Sequence, residues 1–438
     1  MSKSSAVANN LRAAVTPRAQ HPVSRKSISR AAVKVLYGLK DAGFQAHLVG
    51  GGVRDLLLGL EPKDFDVATD AHPEQIKAVF PNCRLIGRRF RLAHVRFGRE
   101  IIEVATFRAS HAQGSDGETL DDGRIVRDNV FGTIEEDALR RDFTANALYY
   151  NIADFSIIDY AGGIADIENK TLRMIGDPAT RYREDPVRCL RAARFAAKLG
   201  FSIHPDTERP IAETGSLLRE IPPARMFEEV LKLFQSGHAV ASFAELRRLD
   251  LLKYLFPASD ADLKAGEPGF DRLIDCALRN TDKRIAEEKP VTPAFIYAVM
   301  LWPQVQRRAE TYQQSGEPPV PSIFAAADEV IARQLLSTSL PKRFSIPMRE
   351  IWGMQPRLIT SKGQRAVRLL AHPRFRAAYD FLCLREQAGE DLGDHPQRWT
   401  QMQESAPANE GVSEKRSGSR RRRRPRHKRG GASGNKRD

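Results

Sequence analysis

A chain of 438 residues with 41% hydrophobic content is too long for one compact core and predicts two to four domains. No apolar run approaches the length needed to span a bilayer, which excludes a helical membrane anchor. The net charge of +14 is concentrated at one end. Residues 415–438 hold twelve basic residues against one acid, Asp438, and so account for +11 of it. Four cysteines (Cys83, Cys189, Cys276, Cys383) have no paired spacing, which argues against a disulfide framework or a zinc site and fits a reducing cytoplasm.

The first 40 residues lack Asp and Glu and are rich in Ala, Ser and Arg. Residues 1–26 read as a disordered leader, with a transit peptide as the alternative. Residues 29–42 place Val33, Val35, Leu36 and Leu39 near helical spacing behind Ser29 as N-cap, and Gly43 closes that helix. Strand-like runs follow at 45–49, 65–68, 84–86, 90–97 and 100–107, separated by helical stretches at 53–58 and 74–80. Residues 110–123, rich in Gly, Ser and Asp, read as a mobile loop. Acids at 135–137 open a helix expected to run through 138–150. Strands at 155–160 and 171–175 end the mixed region. Helices are then expected at 186–199, 224–236, 239–249, 270–279, 292–302, 322–337 and 364–370, without the period of a solenoid. The fold class is α+β: a head with a small mixed sheet at 27–160, an all-helical neck at 161–260, a helical body at 261–400, and a disordered basic tail at 401–438.

Within the head, Gly50-Gly51-Gly52-Val53-Arg54-Asp55 is followed by Asp64-Phe65-Asp66. In a strand, residues two apart face the same way, and two carboxylates held together are costly unless a cation sits between them. A glycine turn just upstream offers backbone N–H groups to phosphates, so divalent metal, triphosphate and carboxylates suggest nucleotidyl transfer. Gly50, Gly51 and Arg54 are candidates for triphosphate, with Asp64 and Asp66 as metal ligands. An ion pair of Arg54 with Asp55 is the structural alternative.

Two residues compete to be a third carboxylate. Glu103 is a charge inside an apolar strand, and pairing with Arg91 or Arg108 is its structural alternative. Asp142 follows Arg141 in Arg140-Arg141-Asp142-Phe143, where one residue could meet phosphate and the other ribose or metal. A helix-surface charge network is the alternative there. Asp185 and Arg188, three apart at a helix start with Pro186 between them, offer an acceptor and a donor to the edge of a base. Arg225 and Glu229 read as a structural pair at i,i+4. Arg88, Arg89 and Arg91 form a basic turn able to meet RNA or triphosphate, or simply a solvated hairpin. His94 reads as a packed strand histidine. The run Arg420, Arg421, Arg422, Arg423, Arg424 reads as an RNA-binding arm, or as a solubilising tail.

Residues 48–55 with Asp64-Phe65-Asp66, 136–146 and 183–188 closely resemble the class II nucleotidyltransferases, which comprise bacterial poly(A) polymerases and CCA-adding tRNA nucleotidyltransferases. The resemblance covers about residues 25–260. Residues 85–97 and the Arg-rich extension resemble the poly(A) polymerase branch. That likeness implies two Mg²⁺ ions, ATP as substrate, and untemplated addition of AMP to RNA 3′ ends by a cytoplasmic, monomeric enzyme, with RNA-decay proteins as partners. It implies Asp64 and Asp66 as metal ligands, Asp142 and Glu103 as further catalytic carboxylates, and Asp185 and Arg188 against the base. The competing readings are a CCA-adding enzyme and, from a different class, a catalytically inactive RNA-binding scaffold.

Overall fold

The computed structural model describes residues 13–87, 91–109 and 130–405. The expectations for residues 1–12, Arg88, Arg89, the 110–123 loop and the Arg420–Arg424 run lie outside these residues. The described chain forms two compact units that divide after Leu392.

The chain enters through β1 (Ala14–Thr16) and reaches α1 (Arg30–Asp41), β2 (Ala46–Val49), α2 (Gly51–Leu57), β3 (Asp66–Thr69) and α3 (Pro73–Val79). It continues through β4 (Cys83–Ile86), β5 (Leu92–Phe97), β6 (Glu100–Thr106), α4 (Ile134–Leu139), β7 (Leu148–Asn151) and β8 (Ile157–Asp159). The sheet order is β1-β8-β7-β2-β3-β6-β5-β4, antiparallel except for the β3–β6 pair. Ser29 caps α1 by accepting the Ala32 amide at 3.1 Å. Ala32, Val35, Leu36 and Leu39 then pack on one sheet face with Leu48, Val67, Ala93 and Val104, all at most 1% exposed. Each such leucine contributes about 2 kcal/mol by leaving water. On the other face α4 covers the β2–β3–β7–β8 half among the described residues, through Val49, Ala68, Ala138, Tyr149 and Ile158.

Next come α5 (Gly163–Glu168), β9 (Thr171–Leu172), α6 (Pro178–Glu184), α7 (Val187–Leu199) and β10 (Ser202–Ile203), with β9 and β10 forming a parallel pair. Short α8 (Pro205–Glu208) and α9 (Ile211–Thr214) lead to α10 (Pro223–Phe234), α11 (Ala239–Arg248), α12 (Leu252–Leu255) and α13 (Pro257–Ala265). The remainder is helical: α14 (Phe270–Ala286), α15 (Pro293–Met300), α16 (Trp302–Gln314), α17 (Pro319–Gln334), α18 (Lys342–Thr360), α19 (Gly363–Leu370) and α20 (Phe375–Gln387). The second unit contributes α21 (His395–Ser405). No helix among the described residues is long and apolar enough to cross a membrane.

Four expectations change. Residues 13–26 are not a disordered leader: β1 pairs with β8 and His21 Nε2 lies 2.9 Å from the Phe155 carbonyl. The helix expected over 138–150 stops at Leu139, because Leu148, Tyr149 and Tyr150 are fully buried in the sheet as β7. The tail expected from 401 begins as helix through Ser405. Helices α16, α18 and α20 were not anticipated. In α18, Pro347 and Pro356 each remove an intrahelical donor, yet Trp352 is fully buried and donates from Nε1 to the Ala298 carbonyl at 3.0 Å.

Candidate active site

Register brings the carboxylates together. Asp66, the first residue of β3, is the in-register neighbour of Glu103 on β6, which faces His94 on β5, which faces Arg84 on β4. In-register residues on adjacent strands project to one face, so these side chains form a single row. Asp64 lies in the exposed approach to β3 rather than in the strand. The Asp66 carboxyl is pushed up to about 6 by burial and then by Glu103, with Asp64 adding to the shift and Arg141 opposing it. Glu103 has neither Arg91 nor Arg108 as its ion-pair partner; its Oε1 is 3.3 Å from His94 Nε2. His94, expected to be packed away, therefore belongs to the site face.

Among the described residues no group of three or more His, Cys, Asp or Glu side chains is arranged to hold a metal. Magnesium suits the two aspartates nonetheless. It is bound through one or two carboxylates plus water and substrate phosphate rather than by an all-protein cage. The carboxyl repulsion registered at Asp66 is the chemistry a divalent cation relieves.

The glycine turn sits beside this row. Gly50 adopts φ 72°, ψ −136° ahead of α2, and a side chain on Gly52 would meet the Asp64 carbonyl oxygen at 3.5 Å. Arg54 is 2% exposed and committed: Nε and Nη2 donate to Asp55 Oδ1 at 2.8 and 2.5 Å, and Nη1 donates to Asn146 Oδ1. Lys198 completes the set, 3.3 Å from Asp55 Oδ2. The structure thus contains the ion-pair alternative for Arg54, which braces the turn. Arg141 is better placed for phosphate. Its Nε and Nη2 are held by Asp137 and the Tyr149 hydroxyl, while Nη1 lies 3.5 Å from the Cβ position of Gly50 with no hydrogen bond among the described residues. Burial alone would lower the Arg141 pKa, but Tyr149 and Asp137 raise it, so its charge is secure.

Asp142 follows α4 in a turn, not in a helix. It accepts from Arg191 of α7 (Nε at 2.8 Å, and Nη2), from the Phe143 amide at 2.9 Å and from Asn146 Nδ2 at 3.3 Å. Burial pushes its carboxyl up, but Arg191 and these donors outweigh burial and leave it low. With its oxygens so occupied, Asp142 joins the head to the neck, and Glu103 is the carboxylate that shares the row with Asp66.

Arg141 and Asp142 border a pocket of about 330 Å³ lined also by Asp185, Arg188, Arg191 and Arg225. Arg188 Nη1 donates to the Arg181 carbonyl at 2.7 Å and to Glu184 Oε2 at 2.9 Å. Arg225 does not pair with Glu229, which takes Lys232 instead at 2.7 Å. Its Nη2 donates to Asp185 Oδ2 at 2.7 Å, leaving buried Oδ1 without a hydrogen bond among the described residues. Arg225 is thus a site residue that sequence reading missed. Its partner lies 40 positions away, and no local pattern signals that. Arg91 donates to Glu74 on the surface.

A glycine turn abutting paired carboxylates, next to a pocket lined by carboxylate and guanidinium groups, is the arrangement of a nucleotidyltransferase. The comparisons are specific within that class. Residues 46–173 match the "Poly A polymerase head domain", residues 200–263 the "Probable RNA and SrmB- binding site of polymerase A", and residues 315–430 the "Polymerase A arginine-rich C-terminus". Poly(A) polymerase I of Salmonella typhimurium is 49% identical over 90% of this chain and 86% of its own. That of Escherichia coli O157:H7 is 48% identical over 94% and 91%. A CCA-adding enzyme of Bacillus licheniformis is 39% identical, over 49% of this chain and 53% of its own. The Thermotoga maritima CCA-adding enzyme complexed with tRNA shares the fold, with TM-score 0.58 and 21% identity over 88% of this chain and 85% of that one. The chain belongs to the bacterial poly(A) polymerase I family.

Proposed function

We propose that this enzyme extends RNA 3′ ends with AMP from ATP, without a template, in the bacterial cytoplasm. The observation that carries the reaction is the Asp66–Glu103 register beside Asp64 and the Gly50 turn. The near-full-length likeness to poly(A) polymerase I supports the acceptor and the nucleotide.

The free amides at the start of α2 and the unbonded Nη1 of Arg141 bind the triphosphate, whose charge they match. Asp185 Oδ1 accepts from the adenine amino group and Arg188 donates to a ring nitrogen across the neck pocket. Asp64 and Asp66 would hold two magnesium ions, which would supply charge neutralisation at the phosphates and acidify the 3′-hydroxyl. Glu103 extends that negative row toward the acceptor ribose. The 3′-hydroxyl loses its proton to solvent as its oxygen forms the bond to the α-phosphorus and the bond to pyrophosphate breaks. Asp142 keeps the two halves of the site in register through Arg191. Arg88, Arg89, Arg91 and the Arg420–Arg424 run attract the RNA backbone, and the neck and body guide the strand. The match of residues 200–263 supports a neck that meets RNA and a protein partner, for which RNA-decay proteins are our proposal. The enzyme works as a monomer.

Offering ATP, CTP, GTP and UTP separately, with generic RNA and with tRNA lacking its 3′ end, tests this reading. Long A-tails on generic RNA are expected; CCA addition confined to tRNA would overturn it. Asp64→Ala is expected to abolish AMP incorporation while RNA binding persists.

A further inference from the structure

The half of the sheet that α4 leaves uncovered carries an unassigned surface. On β4, β5 and β6 the residues that share the Asp66 face are Arg84, Ile86, Leu92, His94, Arg96, Ile101 and Glu103. Their neighbours on the opposite face, Ala93, Val95, Ile102 and Val104, are at most 1% exposed in the core. Arg84 and Arg96 are exposed, and neither has an ion-pair partner among the described residues, whereas nearby Arg91 is held by Glu74. Exposed guanidiniums without a carboxylate partner among the described residues can turn their donors to a ligand. Here they stand on the same surface as half-buried Leu92 and Ile86 and 40%-exposed Ile101.

We infer that this face of β4–β6 is the subsite for the last nucleotides of the acceptor strand, a single-stranded polyanion whose 3′ end runs along the row from Arg84 toward Glu103 and Asp66. The proposal rests on the reading above that RNA 3′ ends are the acceptor. Three features favour this occupant. The row is continuous with the catalytic carboxylates, so a strand lying on it delivers its terminus to them. Crossing from β4 to β3 takes three strand spacings, about 14 Å, which is the reach of a short single-stranded segment. Two guanidiniums interleaved with aliphatic side chains offer phosphate contacts and an apolar floor for bases without hydrogen-bond readout, which suits an enzyme that must accept its own product at every cycle. His94, between Arg84 and Glu103, then faces the terminal ribose end of the path.

The test is the double variant Arg84→Glu/Arg96→Glu in the full chain, against Lys40→Gln at an exposed position of α1 as a charge control. Binding of a labelled oligoadenylate is read by anisotropy across a salt series, beside steady-state KM for ATP. Loss of two phosphate contacts is expected to weaken RNA binding about tenfold or more and to reduce the slope of log K against log salt by roughly 1.4. KM for ATP and the melting temperature should match wild type, and Arg84→Lys/Arg96→Lys should restore most of the affinity. Unchanged RNA affinity and slope would overturn the subsite, as would an equal rise in the KM for ATP. Because binding is measured without turnover, a wild-type enzyme that binds RNA through these arginines but adds no AMP would sink the proposed reaction and leave the surface standing.

Discussion

Arg225 of α10 donates to Asp185 at the end of α6, Nη2 to Oδ2 at 2.7 Å, and so fixes a carboxylate that borders the neck pocket and whose other oxygen is buried without a hydrogen bond among the described residues. Arg225 is about half exposed, so the pair is partly screened, and its loss should cost nearer 1 than 3 kcal/mol. Arg225→Ala is accordingly expected to raise the KM for ATP about fivefold with a smaller change in kcat, and Arg225→Lys to recover part of the loss. Steady-state kinetics with ATP as the varied substrate decide it; an unaltered KM would make Arg225 a bystander.

Asp66 gives the site a pH signature. Its folded pKa, about 6, lies above the ordinary 3.8, so the folded protein holds this proton more tightly than the unfolded chain. Metal-free stability from this group is therefore intact below about 4, falls as pH rises toward 6, and stays reduced above it. Neighbouring groups crowd the Asp66 carboxyl, but the residue as a whole is exposed at the start of β3, so solvent screens the effect to about 1 kcal/mol. Asp66→Asn should raise the melting temperature in EDTA at pH 7.5 by roughly 1–2 °C and leave it unchanged near pH 3.8. Magnesium-dependent activity should also decline as pH falls below about 6, where the proton competes with the metal. A melting temperature for Asp66→Asn that equals wild type at pH 7.5 would count against the crowded-carboxylate account.

Two adjacent glycines should separate steric from conformational cost. A Cβ on Gly163 would lie 2.2 Å from the Thr144 carbonyl oxygen, and that backbone cannot yield, because the Thr144 amide donates to Arg173 and its hydroxyl to Asp166. Gly163→Ala should lose about 3 kcal/mol or more. Gly162 has φ 78° but open space around it, so Gly162→Ala should lose only about 1 kcal/mol. Thermal unfolding of both variants checks the order; equal losses would contradict it.

Deleting residues 415–438 removes twelve basic residues. Affinity for generic RNA should fall, and its salt dependence should flatten, while single-turnover AMP transfer on bound RNA is retained. Titrations at several salt concentrations report both; a slope identical to the full chain would assign the tail no part in binding.

How much of this was legible in the sequence varies by the range of the interaction. Asp64, Asp66 and the glycine turn announced themselves because one short segment carries all of them. Glu103 stood out as a charge in an apolar strand, but its neighbours Asp66 and His94 follow from strand register, which no local pattern encodes. The helix expected over 138–150 stops short: acids followed by apolar residues at helical intervals suit a helix start, whereas burial of Tyr149 and Tyr150 selects the strand. Helix α18 was hidden by two prolines whose cost is offset by packing around Trp352. Arg54 and Arg141 illustrate the same limit in charge: both precede an aspartate, and only tertiary contacts show that the first is spent and the second has a donor to spare.

Strand β1 closes the outer margin of the sheet by pairing Ala14, Val15 and Thr16 with Asp159, Ile158 and Ile157. Trimming the chain past Thr16 would strip those partners and leave β8 offering unsatisfied amides and carbonyls to any passing extended segment. The few residues ahead of α1 are thus an integral strand of the sheet, and a truncation past Thr16 exchanges one edge strand for another.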